Sequence, residues 1–274
     1  MNRELKVNFV CICRFINFFF IFLTQQRFLL HVIKNDIAKS KLFVVQNVID
    51  RAQRLHNALK RHCKSAYQAL SKTQEYSLDT DRQARLVRPL AFDLLNERQT
   101  AFAKERLIKA LESYGWKLGT GFLSTPLILD VLSEIDIEAA YRLLENEEMP
   151  GWLFMPKNGA TTIWESWEGT QAQGGIASLN HYSKGAVCEW LFKTMCGIHI
   201  DGENHFTISP RSGGSFMYAQ ASYNSIFGQV ESRWERADGK TVYKISIPVN
   251  CTAEIRLPNG TSRKVDAGDY MIEI

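Results

Sequence analysis

Apolar side chains recur at helical spacing over residues 46–70, at Val48, Ile49, Ala52, Leu55, Ala58 and Leu59, with Arg and Lys between them. The pattern predicts an amphipathic helix. After a polar break at 72–77, Asp79 or Thr80 is placed to cap a second helix. That helix carries Ala84, Leu86, Val87, Leu90 and Leu94, with Pro89 to kink or bend it. A third runs from Glu97 to Tyr114 through Ala101, Leu107, Ile108 and Leu111, and Gly115 stops it. Past the loop Gly119-Thr120-Gly121-Phe122, Ser124 or Thr125 caps a helix with Pro126 at its first position, followed by Leu127, Ile128, Val131 and Leu132. A break near Asp136 opens another, with Ala139, Ala140, Leu143 and Leu144. Short loops between successive helices imply antiparallel pairs.

Residues 148–177 change character: Gly, Trp, Thr and Gln dominate and the helical period disappears. A long loop inside a helical domain is usually functional. A last helix is predicted from about Ser178 to Met195, ending at Gly197. Beyond it, Val242–Pro248 and Ala253–Pro258 alternate as strands do, and Met271–Ile274 reads as a final strand. Residues 237–240, 258–261 and 266–270 read as turns. The expected organisation is a segment 1–45 of separate character, helices over 46–200 and a small antiparallel β-domain over 201–274.

Composition narrows the class. With 45% hydrophobic and 23% charged residues over 274 positions, the chain is an ordinary globular one. The net charge of +4 is concentrated in residues 1–41, which carry a net of +5, so the remainder is close to −1 and has no electrostatic footprint for nucleic acid. The run Phe15–Leu23 is too short to span a bilayer. Two readings of it stay open: a signal or anchor, or a start that is not native to the fold. The six cysteines form no CxxC pair and no zinc spacing. Free, mostly buried thiols favour a reducing compartment, hence a cytoplasmic location, with export or membrane anchoring as the alternative should residues 1–24 act as a signal.

The candidate chemistry lies in Gly159-Ala160-Thr161-Thr162-Ile163-Trp164-Glu165-Ser166-Trp167-Glu168-Gly169 and in Ser178-Leu179-Asn180-His181-Tyr182. Glu165 stands in a loop between two tryptophans, which would partly desolvate it and make it a better base. Glu168 reads as a supporting charge and Glu189 as a mid-helix structural partner. Trp152 is open between core and pocket wall. These two segments, with Gly185-Ala186-Val187, Glu189-Trp190-Leu191, Thr120–Thr125 and Pro150-Gly151-Trp152, resemble the bacterial α-L-rhamnosidases. The resemblance covers about residues 46–274. It implies a partial (α/α)6 six-hairpin barrel followed by a small antiparallel β-sandwich, a mainly α plus β fold. It also implies an inverting glycosidase acting on a rhamnose-containing glycoside, with Glu165 as general base. His181 would hydrogen-bond a sugar hydroxyl, and Trp164, Trp167 and Trp152 would border the ring. No metal, nucleotide or redox cofactor is implied.

Two departures change the expectation. Ser166 stands where the family usually has Arg. The family's general acid lies far upstream, in a stretch around Arg-Asp-Glu-Arg, and nothing in this sequence matches it; Asp79-Thr80-Asp81-Arg82 is only superficially similar. About six helices are read where six hairpins need twelve. The chain therefore reads as a truncated form with little or no activity alone, completed by a partner chain carrying the missing half-barrel. The alternative is a non-catalytic carbohydrate-binding or interaction remnant.

Overall fold

The computed structural model describes residues 78–172, 174 and 177–274. The helix expected over 46–70 and the apolar run at 15–23 lie outside the described residues. The rest cluster into two compact units, one ending at Ala186 and one running from Val187 to Ile274.

Four helices of the first unit fall where the apolar spacing places them: α1 (Gln83–Ala91), α2 (Glu97–Ser113), α3 (Thr125–Ser133) and α4 (Ile137–Leu144). Their ends have local causes. Asn96 and Gln99 form a reciprocal capping box on α2, and Gly115 at φ +67° ends the chain's helical run. Asp136 accepts from Glu138 N–H at 3.0 Å to start α4. Neither Asp79 nor Thr80 caps α1, whose N-cap position is Arg82; Thr80 instead accepts from Arg82 N–H at 3.1 Å. Asp79 and Asp81 both pair with Arg106 of α2, at 3.2 and 3.0 Å. Pro89 removes one helical N–H, and α1 ends two residues later.

Helix α1 packs on α2 and α3, and α3 packs on α4 and on the short α6 (Tyr182–Gly185). Leu86, Leu107, Leu111, Ile128, Leu132 and Leu143 are fully buried between them, each worth about 1.5–3 kcal/mol of apolar burial. Among the described residues these hairpins do not close a barrel. Gln83 is the one polar side chain of α1 in this core, 1% exposed. Its amide donates to Lys117 O at 2.9 Å and accepts from Gly119 N–H at 2.8 Å, fixing the loop that leads to Phe122. Among the described residues between α4 and α6, the helical elements are a one-turn α5 (Phe154–Lys157) and a 3-10 turn (Gly169–Gln171).

The helix predicted from Ser178 begins at Tyr182. Residues 178–181 stay non-helical because their main-chain groups bond across to residues 163 and 165. In the second unit α7 (Val187–Trp190) passes into a π-helical turn (Leu191–Met195), with Cys196 N–H donating to Leu191 O at 3.0 Å. Eight strands follow: β1 (Ile198–Ile200), β2 (His205–Ile208), β3 (Tyr218–Ser225), β4 (Gly228–Ala237), β5 (Lys240–Ile247), β6 (Thr252–Arg256), β7 (Ser262–Val265) and β8 (Gly268–Glu273). They form two four-stranded sheets, ordered β1-β2-β6-β7 and β3-β4-β5-β8. Every pairing is antiparallel except β2 with β6. Ala237 pairs with Lys240 across Asp238 and Gly239, both at positive φ, as a two-residue hairpin demands. Trp234, Tyr243, Phe206 and Ile255 fill the core. Phe206 of one sheet meets Tyr223 of the other, with ring centroids 6.2 Å apart. Buried Trp234 donates its indole N–H to Met195 O at 2.8 Å, anchoring the π-helical turn to β4.

Candidate active site

Two irregular, non-helical segments build the site. Glu165 N–H donates to Ser178 O at 2.8 Å, and His181 N–H donates to Ile163 O at 2.8 Å. The Thr162 hydroxyl donates to Leu179 O. These bonds lay 162–165 beside 178–181 and bring together the two motifs that the sequence singles out. Ser178 N–H then donates to Glu165 Oε2 at 3.0 Å, while Oε1 stands 3.9 Å from His181 Nε2.

The two indoles do not enclose the carboxylate. The Glu165 side chain remains 47% exposed. Trp164 lies against Gly169, where an added Cβ would sit 2.4 Å from the indole Cε3. Trp167 lies under the Lys184 ammonium, 3.5 Å from the ring centroid. A backbone amide therefore holds the carboxylate, with an imidazole beside it, and the expected enclosure by tryptophan does not arise. Its cause is geometric: the chain bends at 165–166 and turns at 167–168, which carries the two indoles to other partners.

His181 is fixed by its neighbours. Its ring stacks on Tyr182, with centroids 5.2 Å apart, and meets the edge of Phe122 at 6.5 Å. Phe122 is located in turn by its own carbonyl, which accepts the Ser183 hydroxyl. The imidazole Nδ1 is buried and has no hydrogen-bond partner among the described residues. Trp152, open between core and wall in the sequence, is 4% exposed and donates its indole N–H to Lys184 O at 3.0 Å. It supports the site from beneath.

Lys184 was given no role by the sequence. Here it is buried, and its ammonium donates to the main-chain O of Glu165. Burial pushes its pKa down to about 8, against the opposing pull of the Glu168 and Glu165 carboxylates. Glu189 pairs with Lys193 one turn on, at 2.5 Å, as a structural partner would. Cys188, Cys196 and Cys251 are buried free thiols; burial pushes Cys196 up to about 12, leaving it inert.

Beside the loop opens a cavity of about 490 Å³, lined by Thr161, Thr162, Trp164, Glu168, Gln171 and Leu179 among others. Glu165 does not line it. Among the described residues, no group of three or more His, Cys, Asp or Glu side chains is placed to hold a metal ion. None of their helices is long and apolar enough to cross a membrane.

Helical hairpins followed by a two-sheet β-domain are the architecture of a six-hairpin glycosidase domain with its C-terminal domain. The family model described as bacterial alpha-L-rhamnosidase 6 hairpin glycosidase domain matches residues 23–195, and that of the bacterial alpha-L-rhamnosidase C-terminal domain matches residues 200–271. The chain belongs to the bacterial α-L-rhamnosidase family. An α-L-rhamnosidase of Streptomyces avermitilis is 34% identical over 203 residues, covering 71% of this chain and 20% of its own length. One of Formosa agariphila is 36% identical over 229 residues, covering 80% and 25%. The crystal structure of the Streptomyces avermitilis enzyme complexed with L-rhamnose superposes with a TM-score of 0.68 at 29% identity, over 81% of this chain and 24% of that one. The native enzyme of Aspergillus terreus gives 0.71 at 25%, over 85% and 29%. The chain thus spans a fifth to a quarter of the length of these curated relatives.

Proposed function

We propose that this chain carries the water-activating half of an inverting α-L-rhamnosidase site, with Glu165 as general base. The observation that supports it is the setting of one carboxylate. Ser178 N–H fixes one oxygen, His181 flanks the other, and the side chain stays open enough for water to reach it. In this reading Glu165 takes a proton from a water as that water's oxygen bonds to the anomeric carbon. The bond from that carbon to the aglycone oxygen breaks on the opposite face. The aglycone oxygen then takes a proton from a second carboxylic acid, about 6.5–9.5 Å away.

No stretch of the sequence resembles the family's Arg-Asp-Glu-Arg region, so in this reading the acid comes from a part of the barrel that this chain does not carry, or from a partner chain. His181 Nε2 offers a hydrogen bond to a sugar hydroxyl beside the carboxylate. Trp164 borders the ring. Trp167, with Lys184 on one face, borders the ring in this reading. Trp152 acts through the main chain of Lys184. The substrate is a glycoside ending in α-L-rhamnose, the sugar that the relatives' names share.

Aryl α-L-rhamnosides of graded leaving ability test the reading. A dinitrophenolate departs without protonation and needs only the base, whereas a methoxide needs the acid. The chain should release dinitrophenol with β-L-rhamnose as the first-formed anomer, and leave the methyl glycoside intact. Release of the α anomer first would remove the inverting mechanism, and ready turnover of the methyl glycoside would place an acid within this chain.

A further inference from the structure

Glu165 is tied down at its N–H, by Ser178 O, and at its carboxylate, by Ser178 N–H. Upstream of it, Ile163 O and the Thr162 hydroxyl are tied to His181 N–H and Leu179 O, so the ties made so far lie at or before the Glu165 amide and at the side chain, and leave its carbonyl side to be held. The tie there is of a different kind. Lys184 follows His181 by one helical turn, is 8% exposed, and directs its ammonium at the main-chain O of Glu165. The same ammonium lies on the Trp167 face at 3.5 Å, so the turn following Glu165 is held from below as well. The lysine's own backbone is fixed by the buried Trp152 indole at 3.0 Å and by its place in α6.

A buried ammonium is costly unless its surroundings compensate. A carbonyl and an indole face compensate it here, with a longer-range pull from the Glu168 and Glu165 carboxylates; no carboxylate among the described residues comes within ion-pair distance. This arrangement does not suit a lysine kept for solubility, nor one in a direct ion pair. It suits a clamp.

We propose that Lys184 is a positioning residue for Glu165: its ammonium, held between the Glu165 carbonyl and the Trp167 ring, fixes the peptide that aims the carboxylate at Ser178 N–H and beside His181. The value of this arrangement for hydrolysis rests on Glu165 being the base. The clamp itself does not, and the test reads it separately.

The readout is solvent exchange of the Ser178 amide in the full 274-residue chain, followed by NMR. That amide donates to the Glu165 carboxylate, and a merely structural lysine would leave it alone. Glu165→Ala sets the unprotected limit. Lys184→Met should speed Ser178 exchange by about tenfold toward that limit, while Lys184→Arg, which keeps a buried donor cation, should stay within about twofold of the wild type. The Trp152 indole N–H reports whether α6 is intact. If Lys184→Met loses that signal, Trp167→Leu, which removes the other side of the clamp, decides instead, with the same acceleration expected. Ser178 exchange unchanged in a folded Lys184→Met or Trp167→Leu protein would overturn the proposal, as would an unchanged rate in Glu165→Ala. A Glu165 variant with undiminished rhamnoside turnover would instead remove the base assignment and leave the clamp standing.

Discussion

His181 Nε2 stands 3.9 Å from Glu165 Oε1, although the two residues belong to opposite ends of a loop with little regular structure. The approach follows from backbone pairing. His181 N–H on Ile163 O and Glu165 N–H on Ser178 O hold the two segments side by side, and side chains on neighbouring paired segments meet across the pair.

Gly169 sets where Trp164 goes. Its φ is +57°, and a Cβ there would lie 2.4 Å from the indole Cε3. Gly169→Ala should displace the indole and destabilise the unit by about 1–3 kcal/mol. Denaturant midpoints and tryptophan emission check this against Gly121→Ala, whose Cβ meets nothing within 4 Å and which should match the wild type in both.

Gln83 links the helical core to the loop that carries Phe122. Gln83→Leu removes the partners of two main-chain groups, Lys117 O and Gly119 N–H. The expected cost is about 2–4 kcal/mol, more than the added apolar surface returns. Urea unfolding measures it; a change below about 0.5 kcal/mol would mean that the loop finds water instead.

Lys184 gives stability a particular pH dependence. Its pKa in the folded chain is about 8, below the ordinary lysine value, because burial penalises the charge more than Glu168 and Glu165 favour it. Above about pH 8 and up to the unfolded value, the unfolded chain binds the extra proton, so this residue makes stability rise with pH. Below that window the cost of burying the ammonium is present in full. Unfolding free energies of wild type and Lys184→Met, compared at about pH 7 and about pH 10, should differ in that direction, the wild type gaining relative to the variant. An equal response of both proteins would contradict the placement of the ammonium.

Much of the fold was legible because its causes are local. Apolar spacing located α1 to α4, Asp136 and Gly115 marked ends, and Asp238-Gly239 marked a hairpin. The start of α6 was not legible: Ser178–His181 satisfy their main-chain groups on residues far back in the chain, which no local propensity records. Strand β3 reads Tyr-Ala-Gln-Ala-Ser-Tyr-Asn-Ser, and its inward Ala219 and Ala221 are too small to make an apolar alternation stand out. Glu165 and His181 were found through their motifs. Lys184 was missed because a lysine in a helix gives no sign that its head is buried; only the nearby clustering of tryptophans hinted at something for it to lie on. The tryptophans do not sandwich Glu165: Trp164 lies against Gly169 and Trp167 against Lys184, since flanking in sequence does not mean facing in space.

The most direct test of the base assignment is the rate of dinitrophenyl α-L-rhamnoside hydrolysis by wild type and Glu165→Gln at saturating substrate. Loss of a general base should lower kcat by about 10²–10⁴-fold with little change in rhamnose affinity. A Glu165→Gln chain that hydrolyses this glycoside as fast as the wild type would contradict the account.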